Sequence, residues 1–266
     1  MFYQAYQWQD DLLNPWREMA TLGVATLSQS RLGASRALRS LGAAFEVFSA
    51  ARLTHRRPSY AIDSVTVTGQ DDPVTVTEET LLKLPFANLV RFRREGIGTQ
   101  PRVLIVAPMS GHFATLLRDT VRTMLADHDV HITDWLNARD VPVEAGEFGL
   151  SEYTDHVIRC LEHMGPGAHL LAICQPCVSA LSAAAVMAED DNPAQPRSLT
   201  LMAGPVDCRI NPTEVNKLAN ERPIDWFRNN LISTVPRPHP GAGRRVYPGF
   251  VQLMAFMNMN LSRHLG

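Results

Sequence analysis

The sequence is short of several things, and each shortage excludes a class of protein. It has no apolar run near the roughly 18 residues that a membrane-spanning helix needs. Its N-terminus lacks a secretory pattern: Asp10 and Asp11 come early, and no small-residue cleavage site follows an apolar core. Net charge is small, −2 with a pI near 6.5, so there is no electrostatic case for nucleic acid or an anionic membrane as partner. Cysteine is limited to Cys160, Cys174, Cys177 and Cys208 in 266 residues, a pattern of free thiols in a reducing compartment rather than a disulfide framework. Internal repeats and low-complexity tracts are absent. The expectation is a cytoplasmic protein without a transmembrane segment, compatible with an oligomer.

With 45% apolar and 20% charged residues, the chain can bury an ordinary core. The first ~55 residues read as helical. Phe2 to Met19 is rich in aromatic and polar residues, with a break expected at Asn14-Pro15. Arg31 to Leu53 repeats Leu38, Leu41, Phe45 and Phe48 at helical spacing with arginines between, a basic amphipathic helix that packs on its own domain or on an apolar surface.

From Tyr60 the period changes. Ile62 to Val67, Val74 to Val76 and Leu89 to Phe92 read as short strands. Val103 to Ala107 is fully apolar and β-branched, as a parallel strand buried on both faces should be. A helix from Phe113 to Ala126, a strand Asp129 to Thr133, a helix Ser151 to Met164, a strand His169 to Ile173, a helix Ser179 to Ala188 and a strand Ser198 to Met202 follow. Such alternation predicts a mostly parallel sheet with helices on both faces. Beyond Asp207 the texture turns polar, then rich in proline, glycine and arginine, then methionine-rich from Gly249 to Leu261. The last part reads as core or as adaptable apolar surface. Three regions result: an N-terminal helical segment (1–58), an α/β core (59–208) and the start of a cap or lid (209–266).

Chemistry concentrates at Ala172-Ile173-Cys174-Gln175-Pro176-Cys177. The run joins a strand to a small-residue helix, the setting of a nucleophile elbow, which needs small residues two places before and after the reactive side chain. Cys174 is then the nucleophile, flanked by Ala172 and by Pro176, which stands where glycine is usual. The positive end of the new helix favours a thiolate. The Gln175 backbone N–H supplies one oxyanion donor. The second comes from the loop after the Val103 strand, Pro108-Met109-Ser110-Gly111-His112. Proline has no N–H, so Met109 donates, with Ser110 the alternative. His112 is a weaker candidate for a base.

The same residues form a C-x-x-C pair, so a dithiol redox protein using Cys174 and Cys177 is the competing reading. Its position argues against it, because several strands and helices precede the pair, whereas a thioredoxin-type unit is compact. A metal site lacks support: Cys160, Cys208, His163 and His169 offer no second ligand pair at site spacing. Cys160 and Cys208 read as buried packing residues. No cofactor and no metal are expected.

At this elbow the chain resembles the intracellular polyhydroxybutyrate depolymerases, α/β hydrolases with a catalytic cysteine in place of serine. Four stretches carry the resemblance: Phe2-Tyr3-Gln4 to Asn14-Pro15; Val103 to His112 with Leu116-Leu117-Arg118-Asp119; Ile132-Thr133-Asp134-Trp135 with Ala138-Arg139; and Ala172 to Pro176. The resemblance implies an α/β-hydrolase-type sheet preceded by the helical segment and lacking its last strands. It also implies hydrolysis of poly-3-hydroxybutyrate through a Cys174 thioester, at the surface of a cytoplasmic polymer granule. Such enzymes place the acid and histidine after the nucleophile. Here only His239 and His264 follow, and Asp207 is a variant acid. The expectation is therefore a C-terminally truncated enzyme of doubtful activity, or a non-catalytic granule-binding protein on the same scaffold.

Overall fold

The computed structural model of the protein describes residues 2–29, 35–50 and 56–258. Its centre is a seven-stranded sheet in the order β1-β2-β3-β5-β4-β6-β7. The strands are β1 (Ser64–Val65), β2 (Val74–Lys83), β3 (Ala87–Arg94), β4 (Arg102–Val106), β5 (Asp129–Trp135), β6 (His169–Ile173) and β7 (Ser198–Met202). The first three pair antiparallel, and β3 meets β5 antiparallel. The pairs β4–β5, β4–β6 and β6–β7 are parallel.

Side-chain pattern explains the order. Four of the five β4 residues are buried, as are six of seven in β5, so these strands need cover on both faces and sit centrally. Strand β7 alternates exposed and half-buried residues and lies at an edge. The cover comes from α3 (Arg118–Met124), α4 (Leu150–Met164) and α5 (Cys177–Glu189). Among the parallel strands the chain direction reverses once: β4 to β5 steps one way across the sheet, and β5 to β6 to β7 steps the other. The reversal falls between the neighbours β4 and β6. Right-handed crossovers then put α3 on one face and α4 with α5 on the other, and α4 packs against α5. In open α/β sheets, ligands bind beyond the carboxyl ends of the strands at such a switch point. Strand order, parallel core and crossovers make this an α/β-hydrolase-type fold.

Two helices precede the sheet, α1 (Phe2–Gln29) and α2 (Arg36–Ala50). The break expected at Asn14-Pro15 does not occur, since Pro15 lies inside α1. Proline costs one bond to the carbonyl four residues back, and a tertiary contact before it and an ion pair within the helix that spans it accompany the unbroken helix. Tyr6 stacks on Phe250 with ring centroids 4.1 Å apart, and Arg17 bonds Asp10 at 2.6 Å. The amphipathic segment appears as α2, packed on α1, where Phe45 lies against Gly23. Arg31, Arg52 and Leu53 fall outside the described residues.

After β7 come α6 (Glu214–Glu221), α7 (Ile224–Asn230), the hairpin β8 (Ser233–Thr234) and β9 (Arg245–Val246), and α8 (Gly249–Asn258). No further βα unit intervenes. This segment is tied to the core by Arg244, whose guanidinium donates to the carbonyls of Val141, Pro142 and Gly146. The methionine-rich stretch is split: Phe250 is buried against Tyr3 and Tyr6, whereas Met254 is 48% exposed. No described helix is long and apolar enough to cross a membrane.

Candidate active site

Cys174 follows β6 directly and has φ +71°, a left-handed conformation that L residues other than glycine, asparagine and aspartate seldom adopt. The cause is the reversal from strand to helix within one residue. The Cys174 N–H donates to the Met202 carbonyl at 2.8 Å, still in register with β7, while its carbonyl accepts from the Cys177 N–H at 3.1 Å and opens α5. Ladder and helix thus grip the same residue from its two sides and hold it in a costly conformation. Such a turn lifts a side chain above the sheet edge.

Space at the turn comes from small residues, though not only those evident in the sequence. Ala172 is fully buried beneath it, and Pro176 precedes the first turn of α5 with φ −69°, which proline adopts without strain. The third is Gly204, after β7. A Cβ there would overlap the Cβ and Sγ of Cys177 and lie 3.0 Å from the Cys174 carbonyl. Close approach of two backbones requires this glycine, and no spacing rule from the elbow points to it.

The β4 loop meets the elbow at the switch point. Met109, half-buried, donates its N–H to Gln175 Oε1 at 3.1 Å. Two residues earlier, Ala107 is tied three ways. Its N–H donates to Thr133 Oγ1 at 3.0 Å, and its carbonyl accepts from Trp135 Nε1 at 2.8 Å and Tyr153 Oη at 3.2 Å. Two further constraints come from Gly111, at φ +83°, where a Cβ would strike the Gly249 carbonyl and approach the Leu253 N–H to 2.8 Å. The loop is fixed from β5 and α4 on one side and from α8 on the other. A cavity of about 450 Å³ runs along it, lined by Met109, His112, Trp135, Tyr247, Phe250 and Leu253 among others.

The structure therefore brings Cys174, Gln175 and Met109 together, with Ser110 next in the loop. His112 lies in the same loop; burial lowers its pKa, opposed by a hydrogen bond with the Ser110 backbone. His239 Nε2 is 3.0 Å from Gln7 Oε1 on α1, and burial and Arg139 lower its pKa. The Asp207 carboxylate is held bidentate by Arg209 at 2.9 and 2.8 Å, which lowers its pKa. Both downstream candidates are thus committed to other partners. His264 lies outside the described residues.

The other thiols are distinct. Cys177 is fully buried, with Sγ 3.4 Å from the Ala172 carbonyl and 3.6 Å from that of Met202; burial raises its pKa. A second thiol aimed at backbone carbonyls is poorly placed for exchange with external disulfides. Cys160 is buried in the core and pushed up to about 12. Cys208 departs from the expected apolar packing: it is half-buried, donates to the Pro205 carbonyl at 3.5 Å and receives Asn216 Nδ2 at 3.5 Å. All four are free.

Asp134 lies at the carboxyl end of β5, within the Ile132-Thr133-Asp134-Trp135 stretch. It is buried, its Oδ2 is 2.9 Å from Arg57 Nε, and burial with the nearby Glu78 charge raises its pKa to about 6 against the pull of Arg57. Among the described residues, no group of three or more histidine, cysteine, aspartate or glutamate side chains could hold a metal ion.

The fold defines the class, an α/β-hydrolase-type protein, with Cys174 at the turn between β6 and α5. Residues 203–266 match the family model described as "PHB de-polymerase C-terminus". The match begins at the Ala203-Gly204 step that closes the elbow. No curated protein matches the chain. Among solved structures, the chain is similar to a Staphylococcus aureus protein described as an esterase, at 13% identity and TM-score 0.38 over 63% of this chain and 53% of that one. It is also similar to a bacterial membrane phospholipase A (15%, TM-score 0.42, 71% and 63%) and to the thioesterase domain of the curacin biosynthetic pathway (15%, TM-score 0.36, 61% and 56%). The chain thus spans between about half and two thirds of each of those proteins.

Proposed function

We propose that the chain is a cysteine-dependent ester hydrolase of the polyhydroxybutyrate depolymerase type, acting on poly-3-hydroxybutyrate at the surface of a cytoplasmic granule. Cys174 sulfur attacks the ester carbonyl, the π electron pair moves onto oxygen, and collapse of the adduct breaks the C–O bond. The alcohol end of the cleaved chain leaves with the C–O electron pair and takes from solvent the proton that the thiol gave up, and the acyl part remains as a Cys174 thioester. Water then cleaves the thioester, freeing a 3-hydroxybutyrate oligomer or monomer. The Gln175 and Met109 N–H groups receive the oxyanion.

The observation that carries this reading is Cys174 held at φ +71° between β6 and α5, beside the β4 loop. The C-terminal family match supports the polymer as substrate. With His239 bonded to Gln7 and Asp207 to Arg209, acylation by the described residues relies on the thiolate fraction of Cys174, orders of magnitude slower than with a complete triad. Incubation with amorphous polymer granules tests the reading. Release of 3-hydroxybutyrate should be slow and lost in Cys174→Ala; equal release by that variant refutes it.

A further inference from the structure

The elbow has few donors to offer a developing negative charge. Pro176 has no N–H, and the Cys177 N–H is used by the Cys174 carbonyl at 3.1 Å, which leaves the Gln175 N–H. On the loop side Pro108 has none, so Met109 is the first donor. That N–H is occupied: Gln175 Oε1 accepts from it at 3.1 Å. The residue whose backbone gives one donor thus covers the other with its side chain.

We propose that the Gln175 side chain is a displaceable latch on the oxyanion site, its amide oxygen standing where a substrate carbonyl oxygen must go. The inference rests on the reading of Cys174 as nucleophile and adds a regulation to it. The loop cannot retreat to open the site, because Gly111 already abuts the Gly249 carbonyl and Leu253 of α8. Ala107 is held by Thr133, Trp135 and Tyr153. Gln175 is exposed, and an exposed side chain changes rotamer on the picosecond-to-nanosecond scale. The latch therefore opens by rotation of Gln175.

The energetics make the latch selective. An ester carbonyl that displaces the amide oxygen exchanges one neutral acceptor for another and gains little. Once Cys174 adds, the oxygen carries charge and accepts far more strongly. A bound carbonyl that never reacts is disfavoured, whereas a transition state is not. The Gln175 side chain has a positioning role in this scheme, since it acts through Met109, while the backbone N–H of the same residue remains a donor to the oxyanion.

The full chain is mixed with p-nitrophenyl butyrate, and the first turnover is followed as p-nitrophenolate. Cys174 sulfur bonds to the acyl carbon, the phenolate leaves with the C–O electron pair, and the thiol proton passes to buffer. Gln175→Ala keeps the backbone donor and removes the latch, so acylation should rise about 2- to 10-fold, the worth of one hydrogen bond. Gln175→Asn, too short to span, should follow Gln175→Ala. Gln175→Glu should fall below wild type, because a carboxylate holds the N–H more strongly and repels the oxyanion. Amide hydrogen exchange at Met109 should speed up in the Ala and Asn variants. Acylation equal to or slower than wild type in Gln175→Asn, or unchanged Met109 exchange, overturns the latch. Absence of a wild-type burst beyond that of Cys174→Ala refutes the nucleophile instead; Met109 exchange still reads the latch.

Discussion

A methyl group at Gly204 tests how the elbow is built. The added Cβ of Gly204→Ala would overlap Cβ and Sγ of Cys177 and press on the Cys174 carbonyl at 3.0 Å. These neighbours are backbone-anchored atoms at the start of α5, not the free end of a flexible side chain, so they cannot yield without moving the turn. Overpacking of a well-filled interior costs ~1–3 kcal/mol, and rigid neighbours place this case at about 2–3. In a domain of this size that lowers Tm by roughly 4–12 °C. Displacing Cys174, the proposed nucleophile, by about 1 Å should cost on the order of 100-fold in rate. Thermal unfolding and the p-nitrophenyl butyrate burst measure both quantities. Cys177→Gly removes Cβ and Sγ, so the double variant should recover stability and rate relative to Gly204→Ala, a favourable coupling in a double-mutant cycle. Gly204→Ala with an unchanged Tm and burst, or a double variant showing no recovery, would refute the reasoning.

Three further outcomes follow from the site. A thiol reagent should modify Cys174 in the native protein while Cys160 and Cys177, both fully buried, resist until denaturant is added; rapid native labelling of Cys177 would contradict its placement. Trp135→Phe deletes the 2.8 Å bond to the Ala107 carbonyl, and should cost about 1 kcal/mol of stability by urea unfolding and slow the burst through the Met109 loop. Asp134 is raised to about 6 chiefly by burial, so the folded state holds its proton to higher pH than the unfolded chain does. Its contribution therefore falls as pH rises from about 4 to 6, by ~2–3 kcal/mol, and is level above that. Asp134→Asn should flatten this part of the urea-derived stability profile, and an unaltered slope would show that Asp134 titrates normally.

Periodicity and residue type made several elements legible: β6 and β7 have the expected limits, and α4 differs by one residue, because an apolar run, a strand alternation and a helical repeat each stand between clear turn signals. Antiparallel strands with a polar face were seen only in part. Val74–Val76 extends to Lys83, and Leu89–Phe92 grows to Ala87–Arg94, since cross-strand pairing carries on where hydrophobicity stops. Ile62–Val67 shrank to Ser64–Val65, and the Phe113–Ala126 helix begins as a 3₁₀ turn, Ala114–Leu117, before α3. Pro15 inside α1 misled because its compensation lies on α8, distant in sequence. The elbow was legible as Cys174 with Ala172. Gly204, the three ties on Ala107 and the occupied Met109 N–H were not, since each arises from contact between segments that no local pattern links.

The central claim is that Cys174 forms an acyl thioester. Peptide mapping by mass spectrometry after brief exposure to p-nitrophenyl butyrate, quenched in acid, measures this directly. The account predicts a butyryl adduct on the peptide containing Cys174, absent from Cys174→Ala and discharged by hydroxylamine. An adduct confined to Cys208 or to lysines, or a Cys174 peptide that stays unmodified while p-nitrophenolate is released, would contradict it.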